Sequence, residues 1–130
     1  MGNITQRDEI IIDGYIVKEN LKEKVTLKID TGFTGYDVAI PTGYDVAIPS
    51  NIAQKLKLNP SGYANFSTPS GNIPLATGND AYLCLGTNKY GVTYVIHYGA
   101  YPLISNSFLK NISEIIIIDF TNYSAIIILK

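Results

Sequence analysis

The feature that most constrains this chain is a succession of short apolar segments of strand length, rich in isoleucine, valine and tyrosine. In one of them Val25, Leu27 and Ile29 alternate with polar residues, and a period of two marks a strand with one buried face. The pattern therefore predicts an all-β domain, apart from one or two short helices. Gly14, inside the first of the other segments, indicates a bulge or a tight turn. Those other strand-like segments are Glu9–Val17, Asp37–Ile40, Tyr63–Thr68, Ile73–Thr77, Ala81–Leu85, Val92–Tyr98, Ser113–Phe120 and Ser124–Leu129.

Two short helices are expected among the strands. In Asn51–Lys57 the apolar Ile52 and Leu56 lie four residues apart on one helical face, and Ser50 is a suitable N-cap. Ser107–Lys110 is expected to form a single helical turn. Turn-forming residues predict hairpin connections at Lys18–Lys24, Pro69–Asn72 and Gly86–Gly91.

The chain has the size and composition of one globular domain. Its 130 residues are 46% apolar but only 16% charged, and that charged fraction is low for a soluble monomer. Either tyrosine, asparagine, serine and threonine form much of the surface, or a partner covers part of it. We expect one domain over residues 1–130, with residues 1–8 disordered.

The charge balance argues against two classes of partner. The formal net charge is −1, and no basic stripe or acidic tail is present, so neither nucleic acid nor an anionic membrane is expected to bind. The longest apolar runs, Ile115–Ile118 and Ala125–Leu129, are far shorter than the ~20 residues that cross a bilayer.

The single cysteine and the single histidine limit the chemistry further. Cys84 has no second cysteine to pair with, which favours a reducing, cytoplasmic setting. It stands in the apolar run Tyr82–Leu85 and is expected to be a core thiol, whereas His97 is expected to be structural. No motif supports a nucleophilic pair of the two. They are too few for a typical zinc site within one chain, so neither a metal nor another cofactor is expected.

Residues 34–49 contain a perfect tandem repeat. Thr34–Pro41 and Thr42–Pro49 share the sequence Thr-Gly-Tyr-Asp-Val-Ala-Ile-Pro. Eight residues are far fewer than a solenoid unit contains, so we interpret the repeat as a recent duplication. Because eight is even, a strand through both copies would keep its faces. We favour an arrangement in which one copy forms the strand and the other loops out, but identical copies give no sign of which is which.

The triplet Asp30-Thr31-Gly32 comes between an alternating strand and a further apolar segment. In isolation it would be interpreted as a turn, because Asp and Gly favour turns. In this setting it resembles the active-site element of the retropepsin-like aspartic peptidases, most closely their small single-lobed archaeal and bacterial members. The resemblance rests on Ile29–Gly35, Val38–Pro41, the Asn51–Lys57 helix, the hairpin tip Thr68–Asn72 and the segment Leu103-Ile104-Ser105.

The resemblance implies a closed, barrel-like acid-protease fold and an aspartic endopeptidase that is active as a homodimer. Each subunit would contribute Asp30, and two carboxylates about 3 Å apart would share one proton. The ionised member would activate water for attack on a peptide bond, and the protonated member would donate to the carbonyl oxygen. The implied partners are a second copy of the chain and a peptide or unfolded protein.

The resemblance also assigns supporting roles. Thr31 would tie the two active-site loops together across the dimer axis, and Gly32 would let backbone approach the carboxylates. The flap over the substrate would consist of Thr68, Pro69, Ser70, Gly71 and Asn72. The second loop element would consist of Leu103, Ile104 and Ser105.

Two departures from the family pattern leave alternatives open. The repeat lengthens the connection after Asp30, and Ser105 stands where the family usually has glycine. Serine would be strained there if the position required a positive φ. Either change could leave a catalytically inactive peptide-binding or self-assembly module on the same fold. A third hypothesis is a small β-barrel domain in which Asp30 is only a turn residue.

Overall fold

A computed structural model of the chain describes residues 2–4, 10–30, 43–68, 71–119 and 124–130. Within these ranges the strands are β1 (Gly2–Ile4), β2 (Ile10–Lys18), β3 (Leu21–Asp30), β4 (Val46–Pro49), β5 (Gly62–Thr68), β6 (Gly71–Leu85), β7 (Asn88–His97), β8 (Leu103–Ser105), β9 (Ser113–Asp119) and β10 (Ser124–Leu129). The helices are α1 (Ser50–Lys55), which follows β4 directly, and α2 (Asn106–Ile112), which follows β8 directly.

Six of the strands close into a barrel in the order β2-β3-β8-β4-β7-β6. Closure depends on the second half of β6, which pairs with β7 from Thr77 to Leu85 and with β2 from Tyr82 to Cys84. A register shift between Gly78 and Ala81 bends this long strand so that it can pair with both β7 and β2. The β5–β6 hairpin extends from the barrel, and β1, β10 and β9 continue the sheet beyond β2. The predicted closed, mainly β architecture is confirmed.

The alternation seen in the sequence fills the interior of the barrel. Val25 and Leu27 of β3 face inward and are at most 4% exposed, whereas Thr26 between them is exposed. The two helices cover the barrel with Leu56 and Leu109, which are fully buried. Neither helix in the described ranges is long and apolar enough to cross a membrane. The buried strand residues include Ile12, Ile16, Val46, Ile48, Ala81, Leu83, Leu85, Val92, Tyr94 and Ile104.

Gly14 serves close packing rather than a bulge or a turn. β2 runs through it without a break in register, and Gly14 pairs with Val25. A Cβ atom at Gly14 would lie 2.8 Å from the carbonyl oxygen of Cys84 and 2.9 Å from a methyl carbon of Leu85. The glycine therefore lets β6 approach β2 closely, which is one of the uses of glycine in a strand.

Three further local predictions need correction. The N-cap of α1 is Pro49 rather than Ser50, and no side chain caps this helix. Cys84 is half-buried, because its neighbours Leu83 and Leu85 face the core and strand alternation turns Cys84 the other way. Residues 2–4, which we expected to be disordered, form β1 between β2 and β10.

A hydrogen-bonded network holds the bend of β6 against its neighbours. Asp80 accepts hydrogen bonds from the hydroxyl of Tyr94 and, at 2.8 Å, from the backbone N–H of Asn59. The Asp80 carboxylate also lies 2.9 Å from Nζ of Lys18. The same ammonium group donates a hydrogen bond to the carbonyl oxygen of Lys57 at 2.6 Å. The network joins the end of β2 and the segment after α1 to β6 and β7.

The same network changes the acidity of two of its members. Burial raises the pKa of Asp80, but the hydrogen bonds from Tyr94, Asn59 and Lys18 outweigh it and hold the pKa below its ordinary value of 3.8. Burial, together with the Asp80 carboxylate, raises the pKa of Tyr94 well above its ordinary value of 10.0. At neutral pH a neutral hydroxyl therefore donates to an ionised carboxylate.

We expect Asp80→Asn to lower thermal stability at neutral pH and to lose this effect in acid. The pKa of Asp80 is lower in the folded chain than in the unfolded chain, so its ionisation stabilises the fold above the unfolded pKa of about 3.9. That stabilisation is lost as the pH falls through the folded pKa. The test is the thermal unfolding of the wild type and of Asp80→Asn at several pH values from about 7 to about 2. Glu114→Gln, at an exposed position, is the control. A deficit that stays constant down to the lowest pH would contradict this account.

Candidate active site

The centre of the candidate site is the short strand β8, which lies between β3 and β4. It runs parallel to β3, with Ile29 opposite Ile104 and Asp30 opposite Ser105. It runs antiparallel to β4, with Ala47 opposite Leu103. Asp30 of the motif triplet is thus brought beside the second loop element predicted from the sequence. Asp30 is the last residue of a paired strand, so its backbone belongs to the sheet and not to a turn.

The residue just before β4, where the connection from Asp30 ends, is also anchored by hydrogen bonds. The backbone N–H of Ser105 donates to the carbonyl oxygen of Asp45 at 2.8 Å. The Asp45 carboxylate accepts hydrogen bonds from the backbone N–H of Thr93 at 2.9 Å and from its hydroxyl at 3.1 Å. Asp45 therefore fixes the start of β4 against β7 and β8, a role that the sequence analysis did not identify.

The second copy of the repeat supplies the strand. β4 is Val46–Pro49, and all four residues are buried. This copy continues directly into α1, whose Ala53 lies in the same core as Val46 and Ile48. A copy that continues into a helix packed on the core through Ala53 is held in place at its C-terminal end, which gives a physical reason for its selection. The first copy, with the strand predicted at Asp37–Ile40, lies outside the described residues.

Ser105 is not strained in this structure. Its φ is −74° and its ψ is 146°, an extended conformation that any residue adopts. Its side chain is useful, because the Ser105 hydroxyl accepts a hydrogen bond from the backbone N–H of Phe108 at 3.0 Å and so caps α2. The positive φ that would strain a serine at this position is therefore not present.

The β5–β6 hairpin is tied to the same region by a small apolar cluster. Phe66 of β5 and Leu75 of β6 pack with Ala47, Val95 and Leu103 from β4, β7 and β8. Leu103 is two residues from Ser105, so the middle of the hairpin contacts the strand that pairs with Asp30. Toward the tip the strands pair as far as Thr68 and Gly71.

Several predicted site residues lie outside the described part of the chain. They are Thr31 and Gly32 of the triplet and Pro69 and Ser70 of the hairpin tip. Their roles remain predictions. Among the described residues no group of three or more histidine, cysteine, aspartate or glutamate side chains could hold a metal ion.

The connection between β7 and β8 brings Tyr101 and Pro102 to β3. The backbone N–H of Lys28 donates to the carbonyl oxygen of Pro102 at 3.0 Å, and the ammonium of Lys28 lies over the ring of Tyr101. Neither Lys28 nor Tyr101 was identified from the sequence. Lys28 could have been noticed, since it is two residues before Asp30 on an alternating strand, but nothing local in the sequence connects it with Tyr101.

Comparison with known proteins supports the fold. No family model and no curated protein matches the chain. Among solved structures the chain is similar to a retropepsin-like aspartic protease from Rickettsia conorii, with a TM-score of 0.61 over 97% of this chain and 84% of that one. The sequence identity is 17%, so the similarity establishes a retropepsin-like fold and nothing finer.

We expect Ser105→Ala to lower the free energy of unfolding by about 1 kcal/mol, the usual cost of losing a serine N-cap. Ser105→Gly should cost only a few tenths of that, because glycine is itself tolerated at an N-cap. Denaturant unfolding of the two variants measures the difference. Ser50→Ala is the matched control, since Ser50 begins α1 without capping it, and should leave stability unchanged. Equal losses in Ser50→Ala and Ser105→Ala would contradict the capping role.

Deletion of residues 34–41 should preserve the fold and stabilise it slightly. The deletion removes one copy of the repeat and leaves β4 and α1 intact. It roughly halves the number of residues between Asp30 and Val46, and halving the length of a loop saves about 0.6 kcal/mol of closure entropy. Denaturant unfolding and circular dichroism test this expectation. A clear loss of stability would mean that the first copy makes contacts on which the barrel depends.

Proposed function

We propose that this chain is an aspartic endopeptidase that works as a homodimer, with Asp30 of each copy as the catalytic carboxylate. The observation that carries the proposal is the position of Asp30 in a barrel of retropepsin-like fold. β3 ends at Asp30, in register with Ser105 of β8. The two sequence elements on which the resemblance to the aspartic peptidases rests, Asp30 and Leu103–Ser105, are therefore neighbours in the barrel.

The proposed chemistry requires two copies of the chain. Asp-Thr-Gly occurs once in the sequence, at residues 30–32, whereas the mechanism uses two carboxylates that share one proton. The ionised carboxyl takes a proton from a water molecule as that water attacks the peptide carbonyl, and the other carboxyl donates its proton toward the carbonyl oxygen. The two groups titrate as a pair.

The surface of the β9–β10 hairpin supports association of two copies. Ile115, Ile117, Ile126 and Ile128 are each between 40% and 49% exposed, and cross-strand pairing places them in one block. Within the described residues β9 pairs only with β10, so its outer edge is a further surface for strand pairing. An apolar block beside such an edge suits contact with a second copy in a chain with so few charged residues.

The β5–β6 hairpin supports an extended peptide as the substrate. In the described part of the chain β5 pairs only with β6, and the cluster around Phe66 and Leu75 holds the middle of the hairpin near β8. An extended peptide can pair its main chain with a strand edge, as in other cases of strand addition. The substrate class is therefore a peptide or an unfolded protein segment.

We expect the purified protein to cleave a denatured protein at acidic pH, and a statine-type inhibitor to block the cleavage. Asp30→Asn should reduce the rate about a thousandfold or more, because it removes the group that exchanges protons with water. Asp13→Asn on the neighbouring strand is the matched control and should retain activity. Sedimentation velocity of the same samples should show a dimer.

The outcomes distinguish the hypotheses. Full activity in Asp30→Asn would reject the mechanism, and a monomer that cleaves would reject the shared dyad. A dimer that binds peptide without cleaving it would instead support a peptide-binding module on the same fold.

A further inference from the structure

A lysine and a tyrosine form a contact beside the end of β3. Nζ of Lys28 lies 4.0 Å from the centre of the Tyr101 ring, which is within the range of a cation–π interaction. Tyr101 is 53% exposed, so the pair belongs to the protein surface. The contact holds a positive charge above an aromatic ring at a defined place on the barrel.

The strand register places this pair near Asp30. Lys28 is two residues before Asp30, about 7 Å along the strand, and it pairs with Leu103 just as Asp30 pairs with Ser105. Tyr101 comes two residues before Leu103. Successive residues of an extended peptide are about 3.3 Å apart, so a substrate whose reacting bond lies at Asp30 would bring a nearby side chain to the pair.

The connection that carries Tyr101 is held at both ends. At its start, the backbone N–H of Gly99 donates to Nδ1 of His97 at 2.8 Å, and a Cβ atom at Gly99 would lie only 2.7 Å from that nitrogen. At its end, Pro102 accepts the hydrogen bond from the backbone of Lys28. Because both ends are fixed, little conformational entropy remains to be lost when a ligand contacts Tyr101.

The charges along β3 favour an acidic ligand. Lys22, Lys24 and Lys28 occupy even positions and therefore lie on one side of the strand. Thr26 stands between them and donates its hydroxyl to Asp13 at 3.0 Å. Of these lysines Lys28 is the one beside Asp30, whereas Lys22 and Lys24 lie farther back along the strand, so the positive charge that attracts an anionic group here and repels a cationic one is that of Lys28.

We propose that Lys28 and Tyr101 form a subsite for a glutamate or aspartate side chain of the substrate, within two residues of the cleaved bond. The proposal rests on the proposed peptidase function. The carboxylate contacts the ammonium group of Lys28, and the aliphatic part of the side chain packs on Tyr101. An ammonium group carries three N–H donors, so the carboxylate adds to the contacts that Lys28 already makes.

The test uses peptides that share one cleavage site and differ at a single position near it, which holds Glu, Gln or Lys. At about pH 6, where the glutamate is ionised, we expect kcat/KM for the Glu peptide to exceed that for the Gln peptide about fivefold, as one partly exposed ion pair provides. Lys28→Glu should reverse the order so that the Lys peptide is cleaved best. Lys28→Met keeps the aliphatic stem and should abolish the preference without reversing it.

Lys22→Glu provides a matched control on the same strand. Nζ of Lys22 lies 4.0 Å from the centre of the Tyr15 ring, the same contact as in the proposed subsite, but Lys22 pairs with Val17 at the opposite end of β3 from Asp30. This variant should keep the wild-type preference. Equal cleavage of all three peptides by the wild type, or an unchanged preference in Lys28→Glu and Lys28→Met, overturns the subsite alone. Failure of the wild type to cleave any of them overturns the peptidase function and the subsite with it.

Discussion

The architecture depends on the insertion of β8 between β3 and β4. This strand has only three residues, all buried, and they pair with β3 on one side and β4 on the other. β3 and β4 follow one another in the chain but are not paired with each other; they are joined through β8, which comes from much later in the chain, and the barrel closes only because both pairings form. Backbone hydrogen bonds are strong in such a buried setting, and leaving one unmade is costly. The position of Asp30 at the end of β3 is set by the same pairing.

Much of the fold was accessible from local patterns. The alternation around Val25 and Leu27 predicted a strand with one buried face, and the spacing of Ile52 and Leu56 predicted α1, because both signals come from residues close in sequence. The same logic failed at Gly14. Its packing partner is a backbone oxygen of β6, about seventy residues away in the chain, and a local window therefore suggested a bulge or turn. The bend that lets β6 pair on two sides was likewise not visible in its sequence.

The residues of the candidate site likewise include some that the sequence identified and some that it did not. Asp30 and the segment Leu103–Ser105 were proposed from a resemblance, and the structure pairs them. The anchoring role of the Asp45 carboxylate was not proposed, because it depends on hydrogen bonds from Thr93. The parallel pairing of β4 with β7 brings Thr93 to Asp45. At Ser105 the sequence left open whether the backbone would have a positive φ. The structure answers this with an extended backbone and a hydroxyl that caps α2, so serine suits the position.

The duplicated octamer has a consequence for how such a chain can change over time. Val46–Pro49 occupies the barrel because the core and the adjoining helix secure it from one side, and Asp45 secures it from the other. Extra sequence that enters upstream of this anchor leaves the register of every barrel strand untouched. The stretch beside the motif triplet is therefore a place where new sequence can accumulate and be tried by selection while the scaffold persists. In that sense, the anchor separates the evolution of the site's surroundings from the evolution of the barrel.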